Sequence, residues 1–259
     1  MENSNFTNLK KTAVGTILAV SICTLAFGVI TQSVKASIIN KTQIVPTKYS
    51  ATENIIKKPN IPKGYVKANY KVKINESQSG LLTKGISGNK AAEIGASDLW
   101  RLFKADLNGK TIEMSYSPAS DIVPSAYWMG IIKINENLTY IFSVDVVTGN
   151  CLDTGKERYW PADNIKTSMN LDLMKNCETY LSKAKELAKK YNLVSGKIVS
   201  SKYASQGYNS SDYGKNSVID VSVTSDTGQK AQLTFSTYNQ EFICVEYDDL
   251  LKSIEQLHK

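Results

Sequence analysis

The chain has 259 residues, enough for one or two ordinary domains, and its 31 basic and 24 acidic side chains give a formal net charge of +7. Its single histidine, His258, stands next to the C-terminal residue. This excludes Ser/His/Asp and Cys/His nucleophile arrangements within the chain, and every zinc site that needs several histidines. The cysteines show no metal-ligand spacing, so the sequence predicts neither a metal nor a cofactor.

An uncharged, apolar stretch lies near the N terminus. No charged residue occurs between positions 12 and 34, and Lys10 and Lys11 precede the stretch. Because about 20 apolar residues can span a bilayer, the first 36 residues are predicted to be a membrane anchor or a signal peptide cleaved near Ala36. Both alternatives place the rest of the chain outside the cytoplasm, either as a single-pass protein of the cell membrane or as a secreted one.

Residues 37 to 86 are predicted to form a lysine-rich linker that contains one strand. The range 41–74 contains eight lysines and a single acidic residue, Glu53. Such a segment is either simply solvated or attracted to anionic lipid headgroups or wall polymers. Alternation of apolar and mostly lysine residues from 66 to 74 indicates the strand. Nucleic acid is not expected as a partner of an exported chain.

A first helix-and-sheet unit is predicted over residues 87 to 158. Apolar residues recur every three or four positions from 92 to 103, after a capping residue at Ser87 or Asn89, and the helix is expected to end at Asn108 and Gly109. Runs of β type follow at 110–116, 126–134 and 138–147, and the short connection between the last two indicates an antiparallel hairpin. A short run around Cys151 is predicted to add an edge strand.

The same order of elements repeats after a linker at residues 159 to 171. A second apolar stripe, which includes Met174 and Cys177, predicts one helix, and β-type runs follow up to residue 247. The polar segment 203–214 is predicted to be a long hairpin loop, and a short helix closes this second unit, residues 172 to 259. The predicted fold class is α+β: two tandem units, each with a helix on one antiparallel sheet, after the N-terminal segment. The free face of each sheet is expected to be solvated or covered by the other unit.

Four features of the first unit occur together. They are "AAEI" at 91–94 in the helix, "LNGKTIEM" at 107–114, Trp128 two residues before Gly130, and a strand that ends in "VDVVTG" at 144–149. Together they resemble the PepSY family of small secreted or membrane-attached bacterial domains, clearly over residues 87–155 and loosely over 172–248. The resemblance implies a noncatalytic ectodomain, which in some relatives restrains peptidases or senses and regulates at the envelope. It brings no catalytic residues.

Asp145 lies three residues before Thr148 and Gly149. At this spacing a carboxylate can accept hydrogen bonds from the N–H groups of a turn, and glycine can supply the positive φ that such a turn requires. A general base would need a second titratable group nearby, and the sequence offers none. We therefore interpret these three residues as structural parts of a hairpin.

Aromatic residues in irregular segments are the best candidates for contact with a partner. The candidate partner-binding residues are Tyr203, Tyr208, Tyr213 and Trp160. Trp160 lies in the linker between the two units and is expected to be exposed.

Three cysteines follow the apolar stretch, at Cys151, Cys177 and Cys244. Their odd number in an exported chain leaves open whether a disulfide forms. Cys177 is interpreted as a small core residue. Cys151 and Cys244 each follow a Phe-Ser pair at a similar distance, which suggests equivalent positions in the two units.

Three functions remain open. The first is a noncatalytic extracytoplasmic binding or regulatory module of the bacterial cell envelope, which contacts the membrane through its N-terminal segment and binds an envelope protein or peptide. The second is a structural envelope or spore-coat component. The third, less favoured, is a hydrolase that uses carboxylates alone. The chain is not expected to be an enzyme, and its oligomeric state is not predicted.

Overall fold

The structure, a computed structural model, describes residues 62–75, 85–120, 123–161, 165 and 168–256. The predicted anchor or signal peptide, most of the lysine-rich linker and His258 lie outside these residues. Within them, no helix is long and apolar enough to cross a bilayer.

The described residues form nine strands and four helices. The strands are β1 (Lys71–Ile74), β2 (Thr111–Ser117), β3 (Tyr127–Asn135), β4 (Leu138–Asp145), β5 (Cys151–Arg158), β6 (Ile198–Ser211), β7 (Gly214–Ser225), β8 (Lys230–Ser236) and β9 (Phe242–Tyr247). The helices are α1 (Gly88–Phe103), α2 (Leu171–Lys175), α3 (Glu178–Tyr191) and α4 (Asp248–Gln256). The α+β class predicted from the sequence is confirmed.

All nine strands belong to one sheet, in the order β1-β2-β3-β4-β5-β9-β8-β7-β6. Every neighbouring pair is antiparallel except β1 and β2, which are parallel. The last strands of the two halves, β5 and β9, pair with each other at the centre of the sheet. The strand that begins at Cys151 is therefore central, and the prediction of an edge strand there is wrong. Because the halves share one sheet, their division into two units stays a prediction.

Helix α1 begins as predicted and ends earlier than predicted. The Ser87 hydroxyl accepts a hydrogen bond from the N–H of Lys90 at 3.2 Å, which satisfies one of the free donors of the first turn. The helix ends because Lys104 adopts a left-handed conformation (φ 53°) and its N–H bonds to the carbonyl of Trp100. Asn108 and Gly109 instead form the turn that leads into β2, so the prediction that they end the helix is wrong.

The second predicted helix is broken into two. Helix α2 ends before Asn176, whose backbone leaves the helical region, and Cys177 then occupies the N-cap of α3 without a side-chain capping bond. Met174 consequently lies exposed on α2, while Cys177 is buried against the second core. The prediction of one continuous apolar stripe through both residues is wrong, because the chain changes direction between them.

Each long helix packs its apolar stripe on the same face of the sheet. Helix α1 covers a core that includes Leu99, Trp128 and Phe142, and α3 covers one that includes Ala184 and Leu233. The stacked rings of Phe103 and Phe242, 5.2 Å apart, join the two cores. On the opposite face α4 packs through Leu250 against Leu152. The halves thus lie edge to edge, and α4 of the second half covers part of the free face of the first half.

The segment 203–214 is not a loop. Strands β6 and β7 pair up to Ser211 and Gly214, with a register shift between Tyr203 and Ser205, so that only Asp212 and Tyr213 form the turn. Gly214 follows the turn with φ +130°, a conformation that few other residues adopt. The prediction of a long loop is wrong because serine, asparagine and tyrosine here pair across a long antiparallel ribbon, where tyrosine is a favourable strand residue.

Candidate functional site

Two exposed tyrosines lie in the far half of the β6–β7 hairpin, one in β6 and one in the turn. Tyr208 is 57% exposed and Tyr213 is 44% exposed. Trp160 lies against the start of β7, where its backbone exchanges two hydrogen bonds of 3.0 Å with Lys215. A Cβ atom on Gly214 would come within 2.4 Å of the Trp160 carbonyl oxygen, so glycine is needed for this close approach.

Trp160 is half-buried rather than exposed as predicted. Its side chain packs on Ile243 and Cys244, and its ring lies 5.9 Å from the ring of Tyr238, which is 47% exposed. We define the aromatic patch as Trp160, Tyr208, Tyr213 and Tyr238. The sequence reasoning missed Tyr238, although a tyrosine in a turn between two strands is a signal of the same kind as Tyr213.

Tyr203 does not belong to the aromatic patch. Its ring packs against the second core, and its hydroxyl accepts a hydrogen bond of 3.4 Å from the Gln206 side chain. Burial raises the pKa of Tyr203 above its ordinary value. Its prediction as a partner contact stays untested, but the geometry gives it a packing role.

A pocket of about 440 Å³ adjoins the aromatic patch. It is lined by the β3–β4 turn and by the end of β5, including Glu136, Asn137, Arg158 and Trp160. Glu241 accepts hydrogen bonds from Arg158 and from Lys156, which tie the β5 side of this region to the β8–β9 turn. An aromatic surface beside polar side chains suits a protein or peptide partner, because such surfaces combine apolar area with orienting hydrogen bonds.

Asp145 holds the β4–β5 turn. Its Oδ1 accepts hydrogen bonds from the N–H of Val147 at 2.8 Å, from the N–H of Thr148 at 2.7 Å and from the Thr148 hydroxyl at 3.0 Å. Gly149 has φ +71° and donates to the Asp145 carbonyl. With its acceptor atom used by the turn, Asp145 has the environment of a structural residue.

The second half repeats this turn with different residues. Ser236 stands in the place of Asp145, its hydroxyl accepts from the N–H of Tyr238, and Gln240 takes the positive φ (60°) of Gly149. The backbone bonds match as well, since Gln240 donates to the Ser236 carbonyl at 2.9 Å. The turn and the strand that follows it, which is β5 in the first half and β9 in the second, are thus related by a shift of 91 positions, the difference between 236 and 145.

This shift corrects the proposed equivalence of Cys151 and Cys244. Val144 and Phe235 are related by this shift, and they pair with Cys151 and Phe242 respectively. Cys151 and Phe242 are therefore the equivalent residues. All three described cysteines are free thiols. Burial raises the pKa values of Cys151 and Cys177 above the ordinary thiol value, which keeps them unreactive.

Two acidic residues face each other where the halves meet. Asp153 of β5 lies directly opposite Glu246 of β9; they are 6% and 1% exposed. Gln232 donates a hydrogen bond to Glu246 at 3.0 Å, and burial raises the pKa of Asp153. Asp220, nearby on β7, accepts bonds from the Ser205 and Thr234 hydroxyls, and burial raises its pKa too. These carboxylates are too buried to reach a substrate.

A polar cluster on the helix side also joins the halves. Arg101 of α1 donates to Asp98 and to the Tyr247 hydroxyl, both at 2.7 Å, and to the Tyr191 carbonyl at the end of α3. Tyr247 in turn donates to Asp98 at 2.6 Å. Burial raises the pKa of Tyr247, so its phenol stays protonated and can donate. Among the described residues no group of three or more His, Cys, Asp or Glu could hold a metal ion.

Comparison with known proteins gives one distant similarity. No protein-family model matches the chain, and no curated protein matches it. Among solved structures, the chain is similar to the Bacillus megaterium YpeB C-terminal domain, with 14% sequence identity and a TM-score of 0.38. The similarity covers 65% of this chain and 66% of that one, slightly less than two thirds of its length. A TM-score this low supports no argument about function, so the family of the chain is not established by it.

Proposed function

We propose that this protein is a noncatalytic, extracytoplasmic binding or regulatory module of the bacterial cell envelope. The observation that carries the proposal is the aromatic patch, in which Tyr208 and Tyr213 of the β6–β7 hairpin and Tyr238 of the β8–β9 turn expose aromatic surface. Tyrosine and tryptophan are enriched among residues that dominate binding energy. The PepSY resemblance of residues 87–155 supports the same class of function, and it suggests restraint of a peptidase or sensing at the membrane.

The proposed location rests on the N-terminal sequence. Residues 1–36 hold the chain in the membrane or export it, so the aromatic patch meets envelope partners. Retention in the membrane fraction after a high-salt wash would indicate an anchor, because salt screens lysines but does not weaken apolar burial. Release into the medium with Ser37 at the N terminus would indicate cleavage.

Two other functions receive less support. A structural envelope or spore-coat component would need extended contact with polymer, for which the lysine-rich segment between 41 and 74 is the candidate. A carboxylate hydrolase needs two accessible carboxylates about 5–9 Å apart. The pocket beside Trp160 is lined by a single acidic residue, Glu136, so it does not offer such a pair.

Quantitative capture from envelope extracts tests the proposal. Changing Tyr208, Tyr213 and Tyr238 to alanine in the full chain is expected to reduce the captured amount of one specific envelope protein or peptide at least tenfold. The control changes Val147, Leu171 and Met174 to alanine, since these apolar side chains are equally exposed and lie outside the patch.

Capture should be unchanged in the control, and circular dichroism should show both variants folded. Equal loss in both variants, or no loss in either, would remove the aromatic patch as the binding surface. If the captured protein is a peptidase, its activity should fall when the wild-type chain is added.

A further inference from the structure

A second surface pocket lies at the opposite end of the β6–β7 hairpin from the aromatic patch. It has a volume of about 410 Å³ and is lined by the last turns of α3, the connection that follows, and the first residues of β6. Along β6, Ile198 at the pocket and Tyr208 of the aromatic patch are ten residues apart, which is roughly 33 Å. We call this pocket the lysine pocket, after Lys185, Lys189 and Lys197 on its rim.

The rim lysines form no ion pairs within the described part of the chain. All three are exposed. Lys185 and Lys189 are one turn apart on α3, so their charges repel each other. Other lysines of the chain do have acidic partners, namely Lys73, Lys90, Lys156, Lys230 and Lys252. The lysine pocket thus concentrates positive charge that the described part of the chain does not neutralise.

Helix stabilisation explains only one of these lysines. A cation in the last turn of a helix interacts favourably with the partial negative charge there, and Lys189 lies in the last turn of α3. Lys185 lies further back and Lys197 follows the helix. One carboxylate stands close to the pocket, since Asp226 accepts a hydrogen bond of 2.9 Å from the N–H of Lys197. Three lysines against this one acid leave a net positive charge.

The wall of the lysine pocket is held in place before any ligand arrives. The connection between α3 and β6 is tied to the β7–β8 turn: Ser195 donates to the Gln229 side chain at 2.7 Å, and the Thr227 hydroxyl donates to the Ser195 carbonyl at 3.1 Å. The backbone N–H of Asp226 also donates a hydrogen bond to the carbonyl of Lys197 at 2.8 Å. The lining also includes apolar surface from Val199, which is 60% exposed. Such preorganisation reduces the entropy cost of binding.

We propose that the lysine pocket binds a phosphate group carried by an envelope molecule. Lysine binds phosphate as a point charge, and a phosphate carries about one negative charge as a diester and about −1.5 to −2 charges as a monoester near neutral pH, which several lysines can share. A volume of about 410 Å³ admits the phosphate with a small attached group that contacts the apolar part of the lining. The phosphate can belong to a soluble ester, to a polymer of phosphodiesters or to a lipid headgroup. This site is independent of the aromatic patch.

A titration of the full chain in neutral detergent micelles tests the proposal with three probes. They are inorganic phosphate, a soluble poly(glycerol phosphate), and phosphatidylglycerol added to the same micelles. The pocket variant changes Lys185, Lys189 and Lys197 to glutamine. The control variant changes Lys133, Lys175 and Lys202 to glutamine; these are exposed lysines without ion pairs, so both variants lose three charges. The lysine-rich segment between 41 and 74 stays intact in both.

For at least one probe, affinity should fall tenfold or more in the pocket variant and less than twofold in the control. The probe that shows this difference identifies the source of the phosphate. Amide chemical-shift changes in the wild type should concentrate at Asn192 and Gly196, which line the pocket. Equal losses in the two variants would mean binding by general charge alone and would overturn the proposal. So would the absence of binding of all three probes to the wild type.

Discussion

At the scale of single residues, the carboxylate of Asp145 is engaged by the turn that follows it. Its Oδ1 serves three donors of the turn that begins there. Hydrogen bonds to a charged acceptor stabilise more than neutral ones. Asp145→Asn keeps an acceptor oxygen but removes the charge, so we expect a loss of about 1 kcal/mol in the free energy of unfolding.

Urea denaturation measures this loss, and capture through the aromatic patch should be unchanged. The matched control is Asp212→Asn, which alters an exposed carboxylate in another turn and should leave stability within experimental error. Turnover of a peptide, ester or glycan by the wild-type chain, abolished in folded Asp145→Asn, would contradict the structural interpretation.

Asp220 makes stability depend on pH. Because burial raises its pKa in the folded state, the folded chain keeps a proton that the unfolded chain has already lost above its ordinary pKa of 3.8. The free energy of unfolding should therefore fall as pH rises from 3.8 through the raised pKa, and stay level above it. Asp153 acts in the same direction. Asp220→Asn should reduce this fall, which urea denaturation between pH 4 and 7 measures; an unchanged pH profile would contradict the assignment.

At the scale of elements, the close contact of α1 with the sheet depends on Gly95. A Cβ atom at this position would lie 2.2 Å from the ring of Phe142, which is fully buried. Alanine is favoured over glycine in a helix by about 0.5–1 kcal/mol, but overpacking a core costs about 1–3 kcal/mol or more. Gly95→Ala is therefore expected to destabilise the protein in thermal unfolding.

A second substitution separates the clash from other causes. Phe142→Leu shortens the side chain that the new methyl group meets, so Gly95→Ala should cost less in that background than in the wild type. Additive effects of the two substitutions would show that Gly95 is needed for some other reason.

The elements that the sequence predicts well are those with a clear period. The α1 stripe and the runs that become β2, β3 and β4 alternate or repeat regularly, so their type follows from burial on one face. The two errors in the second half have a different origin. Asn176 breaks the helix through a local conformation that the apolar pattern does not show, and the tyrosine-rich ribbon around Gly207 has a loop-like composition although backbone pairing makes it a strand.

At the scale of the whole molecule, the pairing of β5 with β9 could not be predicted. It brings Asp153 opposite Glu246, and facing acids count against a pairing in any sequence-based scheme. The aromatic patch depends on the same long-range order, because Trp160 meets Tyr238 only when the two halves form one sheet. The candidate residues Tyr208 and Tyr213 were accessible to sequence reasoning, since they need only local exposure.

The shared sheet predicts that the two halves unfold together. Arg101 donates hydrogen bonds to Asp98, to the Tyr191 carbonyl at the end of α3 and to the Tyr247 hydroxyl. Arg101→Met therefore leaves the buried Asp98 charge without its cation, at a cost of about 3 kcal/mol.

Thiol labelling in increasing urea follows each half separately, with Cys151 reporting on the first, and Cys177 or Cys244 on the second. In chains that keep one of these cysteines at a time, all labelling midpoints should coincide, and Arg101→Met should lower them equally. Lys133→Met, at an exposed site of the first half, should leave every midpoint in place. A lower midpoint for Cys151 alone in Arg101→Met would show that the halves are separate folding units and that the contact between β5 and β9 does not couple them.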